Sequence, residues 1–365
     1  MKIEVLQEQL MAGLNIVGRA VASRAQLPIL SHVLIEATSE GIVLSATDLE
    51  VGIRAKVSAK VNEAGVVAVP AKMFGEFLGS LNPGKVELSL EGSSFLVKAP
   101  GYSGKFQTMS SEEFPAIPKL TKETEICKLN AQALSGAVSQ VVFASAKDSL
   151  RPVLTGVLWE MGKKKVRLVA TDGFRLAVEE IATETKAELA SLLVPSRVVS
   201  EVVKLIKEKE VVVGHLAQTN QVYFVLDDIE IVSQVLSGNF PDYQKIMPKE
   251  FETEIKVAKD ELCQAVRAAH IFARDNSSMI RWQIGEGKLV ILSSSPERGE
   301  CRVEVNIEQE GDDLEIIFNA KYILDYLSIV AGNNLHIGLG GKLSPAQISD
   351  LKHDSGKYIV MPINA

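Results

Sequence analysis

The sequence has few cysteines and no apolar run that approaches the roughly 18 residues of a membrane-spanning helix. Cys127, Cys263 and Cys301 lie far apart and are odd in number, which argues against a disulfide framework and suits a reducing compartment. The first twenty residues, MKIEVLQEQLMAGLNIVGRA, place glutamates ahead of their apolar part, unlike a secretion signal. We therefore expect a cytoplasmic protein with no membrane partner.

Residues that bind metals or phosphates also lack the necessary spacing. The five histidines show no paired metal-ligand spacing; they are His32, His215, His270, His336 and His353. No complete glycine-rich phosphate loop is present. We expect neither a metal nor a cofactor.

The length and the composition are those of a globular chain with more than one domain. A chain of 365 residues has room for two or three domains of roughly 100 to 200 residues each. With 46% hydrophobic and 23% charged residues, it has enough apolar side chains to form several cores.

The sequence repeats itself three times. The stretch PILSHVLIEATSEGIVLSATDLEVGIRA, 28–55, aligns with PVLTGVLWEMGKKKVRLVATDGFRLAVE, 152–179, and a third copy, 282–305, carries Ser295 and Pro296 where the others have Thr and Asp. A second landmark recurs at Pro70, Pro195 and Asn319. Repeats of this length predict three similar domains, 1–121, 122–249 and 250–365.

Each copy contains two amphipathic helical windows among short alternating strands. As an example, Leu134, Val138 and Val141 recur at helical spacing. The predicted helical windows are 6–27, 71–82, 131–152, 196–209, 259–281 and 320–330, the second of each copy opened by a proline or asparagine. The pattern predicts an α+β fold in which each copy lays two helices on one face of an antiparallel sheet.

The segment VATDGFRLAV, 169–178, contains a candidate catalytic group. Thr171, Asp172 and Arg175 have the chemistry of a hydroxyl, a general base and an anion clamp. The same residues also suit a turn, because Asp bonds to its own backbone and Gly accepts a positive φ. The third copy lacks the Thr-Asp pair and no histidine is near in sequence, which favours a structural role.

Charge is distributed unevenly between the predicted helices and the rest of the chain. The six windows together are net positive, whereas the whole chain carries −7. A helix-covered face is therefore expected to attract a polyanion. The alternative is that Lys and Arg simply favour helices.

Several short motifs, taken together, resemble one family over the whole chain. LPIL, ATDLE, TMSSEEFPAIP, VATDGFRLA, VPSR, FPDYQKIMP and YIVMPI occur in the order found in bacterial sliding clamps, the beta subunits of DNA polymerase III. The resemblance implies a non-enzymatic, ring-forming head-to-tail homodimer that encircles double-stranded DNA. It also implies partners that bind through short apolar motifs, among them the DNA polymerase III alpha subunit and the clamp loader.

Helix dimensions agree with a ring of two chains. Six helices packed about 8 to 10 Å apart would enclose a hole under about 10 Å wide, too narrow for duplex DNA. Twelve helices, from two chains, would enclose a hole of roughly 20 to 28 Å. Closure would join the first domain of one chain to the third of the other.

The resemblance also implies a surface pocket for partner peptides. Its residues would be Leu154, Thr171, Gly173, Phe174, Arg175, Leu176, Pro241, Lys245, Ile246, Ile359, Met361, Pro362 and Ile363. Apolar side chains and prolines would hold the peptide, and Arg175 or Lys245 would hold an acidic flank. Phe174, Lys245 and the INA ending depart from some relatives, so the peptide preference stays open.

Two further groups of residues follow from the resemblance. Arg24, Lys72, Arg197 and Lys321, near the ends of the predicted helices, would reach DNA phosphates. Phe106, Ile271 and Phe272 match subunit-contact positions, although such residues are also common in cores. Two other classes remain open, an enzyme with Asp172 as its base and a protein-binding scaffold that never touches nucleic acid. Retention on circular against linear DNA discriminates between these classes.

Overall fold

Strands and helices recur in one order in three consecutive stretches of the computed structural model. It describes residues 1–22, 27–118, 124–148, 150–186, 191–207, 209–275, 277–297 and 299–364. The first stretch contains strands β1 (Lys2–Leu6), β2 (His32–Thr38), β3 (Gly41–Thr47), β4 (Val51–Val57), β5 (Lys60–Glu63), β6 (Gly65–Pro70), β7 (Lys85–Glu91), β8 (Ser94–Ala99) and β9 (Tyr102–Gln107), with helices α1 (Gln7–Val17) and α2 (Ala71–Ser80).

The third stretch follows the same plan, and the second does so except that its described residues contain no counterpart of β5. The second contains β10 (Glu125–Asn130), β11 (Gly156–Gly162), β12 (Lys165–Thr171), β13 (Arg175–Ala182), β14 (Ser191–Pro195), β15 (Glu210–Leu216), β16 (Gln221–Leu226) and β17 (Ile229–Gln234), with α3 (Ala131–Val141) and α4 (Ser196–Leu205). The third contains β18 (Thr253–Ala258), β19 (Met279–Gly285), β20 (Lys288–Ser295), β21 (Gly299–Asn306), β22 (Glu308–Gly311), β23 (Leu314–Asn319), β24 (Asn334–Leu339), β25 (Ala346–Asp350) and β26 (His353–Val360), with α5 (Lys259–Ala273) and α6 (Ala320–Leu327).

Local sequence explains where these elements form. In β2 the buried side chains alternate, because successive residues of a strand point to opposite faces. In α4 the buried Val198, Val199, Val202 and Leu205 fall on one helical face. The Asn319 side chain caps α6 by accepting a 2.9 Å hydrogen bond from the Lys321 N–H.

The strands form four antiparallel sheets, two of which are shared between repeats. The sheet orders are β5-β1-β7-β8-β9, β10-β15-β16-β17-β4-β3-β2-β6, β14-β11-β12-β13-β26-β25-β24-β18-β22 and β21-β20-β19-β23. The second sheet joins the first repeat to the second through β4 and β17, and the third joins the second repeat to the third through β13 and β26. The predicted antiparallel sheets are confirmed, but sheets that cross repeats were not expected.

The chain accordingly divides into two compact units that follow these sheets. One unit comprises Met1–Ala131 with Glu201–Val235, and the other comprises Gln132–Ser200 with Leu236–Ala365. The predicted boundary near 121 lies outside the described residues, and the three domain boundaries stay a prediction.

The helices begin where the sequence predicts but end earlier. The first ends at Val17, not near 27, because a 3₁₀ turn, Gly18–Ala20, replaces the expected last turns. Within the observed bounds α1 carries one net negative charge, α4 carries one net positive charge and the other four helices are neutral. The helices are therefore less acidic than the rest of the chain, as predicted, but they are not net positive, since Arg19 and Arg274, among others, lie beyond the helix ends.

Candidate peptide groove and nucleic-acid contacts

The Thr-Asp pair of the second repeat builds the turn between β12 and β13. The Asp172 carboxylate accepts hydrogen bonds from the N–H groups of Phe174, 2.9 Å, and Arg175, 3.0 Å. The Thr171 hydroxyl donates to the Arg175 carbonyl at 2.6 Å and accepts from the Gly173 N–H at 3.0 Å. Gly173 has a φ of 92°, a conformation that glycine adopts without strain. The predicted structural role of Asp172 is confirmed.

The first repeat forms the same turn with different residues at its tip. Asp48 accepts from the N–H groups of Glu50 and Val51, and the Thr47 hydroxyl donates to the Val51 carbonyl at 2.9 Å. Leu49 stands where the second repeat has Gly173 and takes the same left-handed conformation, with a φ of 75°.

In the third repeat, the strand pairing shifts the correspondence between repeats by one residue from the one in the sequence alignment. Trp282 pairs with Ile291 as Trp159 pairs with Leu168, so Ser294, and not Ser295, is the counterpart of Thr171. Ser295 instead ends β20, where it pairs with Gly299.

Arg175 lies in a buried electrostatic cluster. Its side chain is 7% exposed and donates to Asp172 at 3.0 Å and to Asp325 at 2.6 Å. The guanidinium lies 4.7 Å from the ring centre of Tyr322 and 5.3 Å from that of Phe143. Burial opposes the charge, but the bond to Asp325 and the nearby carboxylates outweigh it and raise the pKa of Arg175.

These contacts correct the expected role of Arg175. With two carboxylates already bound and two rings beside it, the guanidinium fixes the turn between β12 and β13 and is not available to hold an acidic peptide flank. Lys245 is available, because its side chain is 81% exposed and its partner is the exposed Asp242 at 3.0 Å. Sequence reasoning missed Asp325, Tyr322 and Phe143, which no local pattern connects to Arg175.

An apolar floor lies beside this turn and brings together distant segments. Val169, Leu176 and Val178 of β12 and β13 pack with Tyr243 and Ile359, all of them buried. We call this floor and its rim the groove. By rim we mean those residues of the predicted peptide pocket that are exposed or half-buried, which are Phe174, Pro241, Lys245, Ile246, Met361, Pro362 and Ile363. Leu154, 3% exposed, is buried beneath the surface.

The linker that follows β17 forms one wall of the groove. It contains a short 3₁₀ helix, Tyr243–Lys245, with Ile246 40% exposed at its end. The Tyr243 hydroxyl donates to Glu160 at 2.7 Å, and Arg167 donates to both of these groups. Burial raises the pKa of Tyr243 and Glu160 raises it further, which keeps the phenol protonated as a donor.

The C-terminal residues of the rim, which we call the C-terminal wall, are held in place by backbone bonds. The Met361 N–H donates to the Phe174 carbonyl at 2.9 Å, and the Ile363 N–H donates to the Ile317 carbonyl at 2.8 Å. These bonds connect the turn before β13 to β23.

Three predicted DNA contacts occupy one position in the three repeats. Lys72, Arg197 and Lys321 are each the second residue of the second helix, and each is exposed. A cation in the first turn of a helix opposes the helix dipole by about 0.3 to 1 kcal/mol, so helix stability does not explain this placement. Arg24 lies outside the described residues.

The predicted subunit contacts differ in exposure. Phe106 on β9 is 4% exposed and packs edge-on against Phe74 and Phe77, so it belongs to the core of its own repeat. Ile271 on α5 is 50% exposed and Phe272 is half-buried.

Within the described residues, no cluster of three or more His, Cys, Asp or Glu side chains could hold a metal ion. In the same part of the chain, no helix is long and apolar enough to cross a membrane.

Comparison with known proteins assigns the family. Residues 1–118, 128–242 and 244–364 match the N-terminal, central and C-terminal domains of the DNA polymerase III beta subunit. The chain belongs to the DNA polymerase III beta subunit family. Members of this family are sliding clamps, so the chain is a three-domain clamp and its function is that of a processivity factor.

Individual relatives agree over their full length. The beta sliding clamp of Staphylococcus aureus is 26% identical over 375 residues, covering 100% of this chain and 99% of the relative. Two solved beta subunits cover 100% of this chain, that of Thermotoga maritima at 32% identity, TM-score 0.91 and 99% of its own length, and that of Pseudomonas aeruginosa at 28%, 0.94 and 100%.

Proposed function

We propose that two copies of the chain close head to tail into a ring around double-stranded DNA in the cytoplasm. The observation that carries this proposal is the pairing of strands between repeats. The last strand of the second repeat, β17, pairs with β4 of the first, and the last strand of the third, β26, pairs with β13 of the second. Continuing the pattern, the last strand of the first repeat, β9, would pair with β21 of the third.

Both β9 and β21 are edge strands among the described residues, each bonded to one neighbour only. An unpaired edge offers backbone donors and acceptors to another chain. Since each copy has one of each edge, two copies satisfy both pairs and the assembly closes.

The existing pairs also predict the register of the new one. Val51 lies opposite Ser233, and Arg175 lies opposite Val360. Val51 and Gly299 occupy equivalent positions in the hairpins β3–β4 and β20–β21. Ser233 and Phe106 occupy equivalent positions in the hairpins β16–β17 and β8–β9. Gly299 would therefore lie opposite Phe106. The next pair would be Glu300 with Lys105, two exposed side chains of opposite charge.

A cysteine pair tests this register. Directly opposed residues of antiparallel strands have Cα atoms about 4.5 to 5.5 Å apart, which suits a disulfide. The variant Lys105→Cys with Glu300→Cys, made in a Cys301→Ser background, should oxidise to a covalent dimer on a non-reducing gel, and either single cysteine should not. A variant that stays monomeric under oxidation would contradict the proposed interface.

The groove is the proposed docking site for the polymerase III alpha subunit, the clamp loader and other partners with short apolar motifs. Its floor is apolar, and Phe174, Ile246 and Met361 present further apolar surface to the outside. Burying an apolar side chain contributes roughly 1.5 to 3 kcal/mol, so two or three peptide side chains suffice for specific binding. Lys245 is the cation proposed to meet an acidic flank.

DNA contact in this proposal is electrostatic and independent of sequence. Lys72, Arg197, Lys321 and Arg24 would meet phosphates, which carry no base information. The chain itself performs no catalysis and acts by tethering its partners, with Asp172 committed to its turn.

A further inference from the structure

In the linker wall of the groove, the Tyr243 hydroxyl makes a hydrogen bond to the sheet beneath, and the flanking Phe240 and Met247 pack against the same floor. The linker wall comprises residues 241–246. Among the described residues, its backbone hydrogen bonds are internal: the Lys245 N–H donates to the Asp242 carbonyl, and the Ile246 N–H donates to the Tyr243 carbonyl. Tyr243 is its buried member, with its ring on the floor and its hydroxyl bound to Glu160.

The hydroxyl is held by a network on β11, β12 and β13. Arg167 donates to Glu160 at 3.1 Å, to the Tyr243 oxygen at 3.2 Å and to Glu180 at 2.8 Å. Lys165 also donates to Glu180, at 2.7 Å. Because each member has a second partner, the geometry of the phenol is determined by the sheet and not by the linker.

The linker would have room to move without this anchor. A cavity of about 520 Å³ lies against Tyr243, lined also by Arg167, Met247 and Lys357. The apolar contacts of Tyr243, Phe240 and Met247 are non-directional, so the directional bond of the hydroxyl is the contact that specifies one orientation of the ring.

The first repeat provides an internal comparison. There the motif FPAI aligns with FPDY, so Ile117 corresponds to Tyr243. Ile117 packs over Gly52, which corresponds to Leu176 of the second repeat. An isoleucine cannot make the phenol-carboxylate bond. The first repeat, as far as it is described, therefore lacks this anchor.

We propose that Tyr243 is a positioning residue of the groove, whose hydroxyl, held by Glu160 and Arg167, fixes the linker wall in its peptide-binding position before a partner arrives. The inference rests on the proposed role of the groove. If the wall samples other positions, only a fraction of the molecules can bind a peptide at any moment. The apparent affinity for the peptide is then reduced in proportion to that fraction. Contacts in the bound state are unchanged, so the cost falls on the association rate.

Surface plasmon resonance on immobilised DNA polymerase III alpha subunit tests the inference, with Tyr243→Phe as the variant. We expect the association rate constant to fall about three- to tenfold, the size of the net contribution of one typical hydrogen bond, while the dissociation rate stays within about twofold. Glu160→Gln, which keeps an acceptor, should give a smaller loss. Hydrogen exchange of the free protein should be faster at residues 244 to 246 in Tyr243→Phe.

Two controls separate this inference from the proposed function. Tyr223→Phe removes another buried hydroxyl, one that has no hydrogen-bond partner among the described residues, and should leave both rates unchanged. Ile246→Ala and Met361→Ala remove rim contacts and should raise the dissociation rate about tenfold. If these rim variants bind normally, the groove is not the docking site. If they bind weakly but Tyr243→Phe has wild-type rates and wild-type hydrogen exchange, the positioning role is overturned.

Discussion

At the scale of single residues, neighbours in sequence perform separate tasks. Asp172 and Thr171 satisfy the backbone of a turn, Phe174 lies 61% exposed on the groove rim, and Arg175 is buried between two carboxylates. The sequence predicted the turn because its signal is local. It could not predict the environment of Arg175, since Asp325 is 150 residues away and meets it only through the pairing of β13 with β26.

Asp172→Asn tests the structural role of the aspartate. Asparagine keeps the oxygen that accepts from Phe174 and Arg175 but loses the ion pair with the Arg175 guanidinium, which retains Asp325. We expect the free energy of unfolding to fall by about 1 to 2 kcal/mol in urea titrations. Asp172→Ala, which leaves two N–H groups without their acceptor, should cost more, about 2 to 3 kcal/mol. Equal stability of the unmodified protein, Asp172→Asn and Asp172→Ala would contradict the structural role of this aspartate.

At the scale of elements, the sequence predicted where helices begin more accurately than where they end. Pro70, Pro195 and Asn319 mark the entry of each second helix, and each stands at the end of the preceding strand. Helix ends depend on packing: α1 stops at Val17, before basic residues that amphipathic periodicity had included. Strand pairing across repeats could not be predicted either. The sequence repeat shows which strands each copy contains, but it does not show whether a strand pairs within its own copy or with the next one.

The cations at the second position of α2, α4 and α6 provide a test at this scale. Changing Lys72, Arg197 and Lys321 together to glutamine removes charges that oppose the helix dipoles, so the thermal midpoint should stay level or rise slightly. The affinity of the protein for a short linear duplex should fall, and its dependence on salt should become shallower. The control, Lys249→Gln, neutralises an exposed linker lysine and should change neither. Unchanged salt dependence in the triple variant would refute the DNA contacts.

At the scale of the whole molecule, threefold repetition with two sheets shared between repeats leaves one edge at each end of the pattern. The fold class and the number of repeats could be predicted from sequence, because the repeat is visible in it. The groove could be placed only by resemblance, since its walls come from residues 241–246 and 361–363, segments more than a hundred residues apart. The C-terminal wall also showed that deleting 361–365 would break backbone bonds to Phe174 and Ile317, so substitutions are the cleaner probe.

The measurement that tests the central claim most directly is retention on circular against linear DNA. Protein placed on a nicked circular duplex by a clamp loader should remain bound through gel filtration and should be released when a restriction enzyme linearises the circle. The variant Ile271→Ala with Phe272→Ala, which removes apolar area next to β21, should be folded but lost from both forms. Equal retention of the unmodified protein on circular and linear DNA would contradict the ring.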